Sequence, residues 1–141
     1  MRMIVCMLAA MAALMAVYPQ AAHSQVRAKA TVICASAGQA LAYNCTIKLA
    51  DARSGAPLSG LTVSLGAEMP SMPGMHNVRP VTATEQAEKG VYQARLELEM
   101  HGDWAVQVDL RGAVRDRVIA MLRFEGGEVT DVKPSSSRHR H

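Results

Sequence analysis

Apolar and polar side chains alternate most clearly in VYQARLELEM, residues 91–100. Tyr92, Ala94, Leu96, Leu98 and Met100 face one way, and Gln93, Arg95, Glu97 and Glu99 face the other. A period of two marks a strand buried on one face. HGD then turns the chain, and WAVQVDL repeats the pattern with Trp104, Val106, Val108 and Leu110 inward. After a turn at Gly112, AVRDRVIAMLRF puts Val114, Asp116, Val118, Ala120, Leu122 and Phe124 on one face. Upstream, LAYNCTIKLA and LTVSLG are strand candidates on either side of DARSGAPLSG, a cluster of turn residues. TATEQ and EVTDV add two short ones. About seven short strands, with no 3.6-residue period after the N-terminal segment, predict one all-β antiparallel sandwich over residues 25–132. A cupredoxin-like barrel is the alternative, because similar strands build both.

The ends of the chain read differently. Arg2 precedes an uncharged apolar run from Met3 to Val17, and Ala22 and Ser24 bracket a cleavage position. That layout predicts a signal peptide over residues 1–24. The run falls short of the roughly 20 apolar residues a membrane span needs, so no stable membrane anchor is expected after cleavage. An uncleaved anchor is the competing reading. Cys6 lies inside the apolar run rather than after a small-residue lipobox, which argues against a lipid anchor. Residues 133–141, KPSSSRHRH, carry no apolar side chain and read as a disordered basic tail. The chain is thus expected to be periplasmic or secreted.

Export changes the meaning of the cysteines. Cys34 and Cys45 remain after cleavage, and an oxidising compartment favours their pairing. A hairpin centred between Gln39 and Ala40 sets the two directly opposite each other, within disulfide reach. A pair of thiolate metal ligands is the other use for them. The formal net charge of +3 is too small to imply nucleic acid, and no basic helix or aromatic platform supports such a partner.

Removing the signal segment takes five of the ten methionines with it, and three of the five left fall in MPSMPGMH, residues 69–76. Pro70 and Pro73 bar helix and central strand. A polyproline-like segment would line Met69, Met72 and Met75 along one edge, ~9 Å apart. Pro73-Gly74 instead fits a type II turn, which would bring Met72 and Met75 within about 7 Å of each other with His76 next in line. Thioethers are soft, neutral ligands that need no deprotonation, so several Met with a His suit Cu(I). Zinc and the hard cations fit this set poorly. The competing reading is a proline-rich loop that packs its own thioethers onto a sandwich edge. Met100 continues an inward strand face and reads first as core, His101 reads first as a turn residue, and both are secondary ligand candidates. No nucleophile–base pair, convergent carboxylates or phosphate loop points to an enzyme.

From DARSGAPLSGLTVSL through MPSMPGMH to KGVYQARLELEMHGDWAVQVDL, the chain resembles the YtkA-like/FixH-like family of small exported β-sandwich domains. The pattern is carried by Gly90, Tyr92, Leu96, Leu98, Met100, Gly102, Trp104, Val106 and Val108, behind the Met/His loop. The resemblance implies an immunoglobulin-like sandwich and a link to copper handling or to assembly of copper-dependent respiratory oxidases. It implies Met69, Met72, Met75 and His76 as the metal-binding positions. FixH-type proteins carry a membrane anchor and many relatives a lipobox, neither of which is expected here. The expectation is therefore a periplasmic Cu(I) carrier or buffer that supplies a copper-dependent membrane complex or a copper transporter. A metal-free module that docks on such a complex through the same loop is the alternative.

Overall fold

The structure, a computed structural model, describes residues 25–133. The signal segment expected over 1–24 and the tail beyond Lys133 lie outside the described residues. Nine strands follow in order: β1 (Ala28–Ser36), β2 (Ala42–Asp51), β3 (Thr62–Glu68), β4 (Asn77–Thr82), β5 (Thr84–Glu85), β6 (Val91–Glu97), β7 (Gly102–Arg111), β8 (Asp116–Glu125) and β9 (Glu128–Asp131). They form two antiparallel sheets, ordered β1-β2-β6-β5 and β4-β3-β7-β8-β9. No helix and no closed barrel occur among the described residues. The expected sandwich is observed, and its first sheet has the strand order of an immunoglobulin domain.

Alternation decides which side chains meet between the sheets. Tyr43, Ile47, Val63, Leu65, Tyr92, Leu96, Trp104, Val106, Val108 and Phe124 are all buried in one cluster. The two tyrosines reach partners with their polar tips, as buried tyrosines must. The Tyr43 hydroxyl donates to the Gly126 carbonyl at 2.8 Å and the Tyr92 hydroxyl to the Leu58 carbonyl at 3.0 Å. Cys34 and Cys45 are paired in register across β1 and β2 and form a disulfide, with Cα atoms 4.0 Å apart. The hairpin centre expected from the sequence is the one observed.

Two strands stand where the sequence pattern gives one at TATEQ. The chain pairs with β3 as β4, passes Ala83, whose N–H donates to Val63 at 2.8 Å, and then crosses to the other sheet as β5. Pro80 sits in β4 without a donor, which only an edge strand tolerates. The register slips here, with Leu65 opposite Val81 but Ala67 opposite Val78. A bulge at an edge breaks the period of two, and with it the signal that would reveal the strand.

The strand directions give the sandwich two poles. Residues 37–41, 69–76, 98–101 and 126–127 connect strands at one, and residues 52–61, 86–90 and 112–115 at the other.

Candidate functional site

The Met/His loop lies at the first pole and is built from two successive turns. The Met72 N–H donates to the Met69 carbonyl at 3.1 Å, and the Met75 N–H to the Met72 carbonyl at 3.1 Å. Pro73 and Gly74 are the central residues of the second turn, and Gly74 has φ 76°. That is type II geometry, which demands a residue free to take positive φ. The Met69 N–H closes the loop onto the His76 carbonyl at 3.3 Å. The polyproline alternative is therefore not adopted, and the turn alternative is.

The four loop positions differ in what they present. Met69 is only 4% exposed and belongs to the core cluster, so its thioether faces protein. Its Cε lies 2.6 Å from where a Cβ on Gly102 would stand, a space that exists because residue 102 is glycine. Met72 packs against the core from its edge. Met75 is 74% exposed. His76 is half-buried, and its Nδ1 lies 2.5 Å from Glu99 Oε2 in the β6–β7 connection. An ionised carboxylate can only accept, so in the neutral ring that donates to it from Nδ1 the lone pair falls on Nε2.

The same connection carries Met100 and His101, both exposed. The inward position expected for Met100 is not observed. β6 ends at Glu97 and the chain bends before the alternation reaches residue 100. The Met100 carbonyl instead accepts the indole N–H of Trp104 at 3.2 Å, which fixes the turn to a fully buried side chain. Trp104 itself is core, as its place on an inward face implies.

Glu99 is a site residue with no signal in the sequence. It alternates as an ordinary outward glutamate, and its partner is 23 residues away. Beside the loop, a groove of about 580 Å³ runs between β4 and β6, with Arg79, Arg95 and Glu99 among its walls. Farther along the pole, Arg123 grips Asp103 with two bonds of 2.6 and 2.9 Å. Those bonds hold the Asp103 carboxyl below its ordinary range.

No group of three or more His, Cys, Asp or Glu side chains is placed to hold a metal among the described residues. A metal site here would have to rest on thioethers and imidazoles. Of the candidate donors, Met75, Met100 and His101 are exposed, while His76 and Met72 are half-buried. This soft and neutral set fits Cu(I).

A disulfide-pinned β-sandwich that presents a two-turn Met/His loop at one pole defines a small domain of exported type, since such a bond persists outside the reducing cytoplasm. The sequence profile of the YtkA-like family matches residues 27–109, and the chain belongs to that family. The match runs from the start of the first strand through the loop and the Trp104 strand. No curated protein and no solved structure matches the chain.

Proposed function

We propose that this protein is a periplasmic Cu(I)-binding carrier or buffer whose metal site is the loop pole. Met75 and His76 are the principal ligands, Met72 the next, and Met100 and His101 complete the set from the facing connection. The observation that supports this reading best is the His76–Glu99 contact. It holds the loop against the β6–β7 connection, and in the neutral Nδ1–H ring it would leave Nε2 with a lone pair for a ligand. Met69, a candidate on sequence grounds, acts instead as the apolar root of the loop.

An exposed site of weak ligands suits exchange with a partner better than storage. The recipient would be a copper-dependent membrane complex or a copper transporter. The test is an anaerobic titration of the domain with Cu(I) against a chromogenic chelator. One equivalent should compete in the wild type and be lost when Met72 and Met75 are both changed to leucine, with the melting curve unchanged. Binding that survives the double substitution would place the metal elsewhere.

The exposure of Met75 favours one second reading, in which the loop docks on a partner without metal. Under that reading the titration finds no competition by the wild type.

A further inference from the structure

The pole opposite the loop is not its electrostatic equal. On the corner where β1 and β2 meet the β7–β8 connection, six cations stand exposed: Arg27, Lys29, Lys48, Arg53, Arg111 and Arg115. None of the six forms an ion pair among the described residues. The two sheets are joined at this corner by the Ala28 N–H, which donates to Asp116 at 2.9 Å. Two carboxylates share the corner, and both are turned to backbone. Asp116 also accepts from its neighbour Arg117 N–H at 2.8 Å, and Asp51 accepts from Arg53 N–H at 2.8 Å. Asp109, near the end of β7, is paired with Arg117 at 2.6 Å, and Glu85 and Glu88 lie at the β5 side, away from β1.

The loop pole has the reverse balance. Its arginines at 95 and 123 are already paired with Glu97 and Asp103, and against the one further arginine, Arg79, stand Glu68, Glu99, Glu125 and Glu128. A polarised molecule of this kind orients itself against a charged surface. Both ends of the described chain also lead to the basic corner. Residues 25–27 precede β1 there, with the Arg27 carbonyl held by the Ala52 N–H at 2.8 Å. After β9, the Val132 N–H bonds to Met121, which aims the chain along β8 toward its start at Asp116.

We infer that this corner is a docking surface for an anionic phospholipid membrane, and that the domain sits on it with the Met/His loop pointing away. The headgroup phosphates are the partners of the six cations. Each Lys or Arg near such a surface strengthens binding by roughly fivefold. The attraction is screened away at high salt. This inference does not depend on the loop binding metal.

The experiment uses the chain from Gln25 onward, which holds every strand and the whole core cluster. It is sedimented with vesicles of equal parts phosphatidylcholine and phosphatidylglycerol, and with vesicles of phosphatidylcholine alone. Binding is expected to the first and not the second, and should vanish in half-molar salt. The triple variant Lys29→Glu, Arg53→Glu, Arg115→Glu should weaken it by about a hundredfold. A second triple, Arg79→Glu, Arg95→Glu, Arg123→Glu, makes the same change of net charge at the loop pole and should weaken it far less. Both triples are expected to fold, since all six positions are exposed, and thermal melts check it. Equal losses in the two triples would show that net charge, not the corner, is responsible, and would overturn the inference. So would binding that disappears when the chain stops at Lys133 but survives the first triple. Tighter retention by a DNA duplex than by the anionic vesicles would make the surface a general polyanion site and would overturn it too.

Discussion

His76 Nδ1 and Glu99 Oε2 stand 2.5 Å apart, and this contact joins the β3–β4 loop to the β6–β7 connection. A histidine whose one nitrogen donates to a carboxylate offers the other to a ligand in a fixed direction. Glu99→Ala should therefore shift the neutral ring away from the Nδ1–H tautomer. Long-range proton–nitrogen NMR of the metal-free protein reads this directly. The same variant should bind Cu(I) roughly 10- to 100-fold more weakly if His76 is a ligand. An unchanged tautomer would mean that the contact does not set the ring.

Gly102 and Met69 make a second link between loop and core. Gly102 has φ 134°, and a Cβ there would meet the Met69 Cε at 2.6 Å. Gly102→Ala should cost about 1–3 kcal/mol through backbone strain and a displaced thioether. Gly74→Ala has the same kind of backbone problem, at φ 76°, but nothing within 4 Å. Its cost should stay near 1 kcal/mol. Urea unfolding of the two variants tests the order, and a reversed order would show that Met69 moves aside freely.

Much of this was legible in the chain. β6, β7 and β8 follow from alternation alone, and the hairpin centre gave the Cys34–Cys45 pairing, because register in a sheet is a matter of counting. The turn at Pro73-Gly74 was legible for the same reason, as local chemistry. Met69 was readable too, had the alternation of Val63, Leu65 and Ala67 been carried one step past the end of its strand. Met100 shows the converse error, a period extended beyond the residue where β6 stops. β4 was hidden by Pro80 and its bulge. Glu99 could not be read at all, since its role comes from a contact across 23 residues that only the packed sheets create.

The disulfide links strands already paired by hydrogen bonds, so its effect falls on the unfolded chain. Its sequence separation of 11 residues makes a short loop. Replacing both cysteines with alanine should lower stability by about 2–3 kcal/mol in the chain-entropy model. The fold should persist, because the core cluster is otherwise intact. Denaturant midpoints of the oxidised wild type and the double variant measure it.

Acid should weaken the domain partly through Asp103. The bonds from Arg123 hold its carboxyl below the ordinary value of 3.8 in the folded state. A carboxyl lowered by folding stabilises the native state above its unfolded pKa, and the contribution fades as pH falls through the folded value. Melting temperatures followed from pH 5 downward should therefore drop less steeply in Asp103→Asn than in the wild type. High salt should narrow the difference, because the pair is exposed. Parallel curves for the two proteins would remove Asp103 from the account.

Met69 and Met75 separate the two jobs a methionine can do in this loop. Met69 is 4% exposed and Met75 is 74% exposed, although they lie in one short segment. Leucine has nearly the volume of methionine and no sulfur, so it preserves packing and removes the ligand. Met69→Leu should change stability by less than about 1.5 kcal/mol and leave Cu(I) affinity alone. Met75→Leu should leave stability unchanged and lower Cu(I) affinity at least tenfold, the equivalent of about 1.4 kcal/mol. The paired measurements are a denaturant curve and a chelator competition on each variant. If Met69→Leu cost as much affinity as Met75→Leu, the core methionine would have to leave its pocket when metal binds. Gly102 would then report the movement, because the space beside it would open.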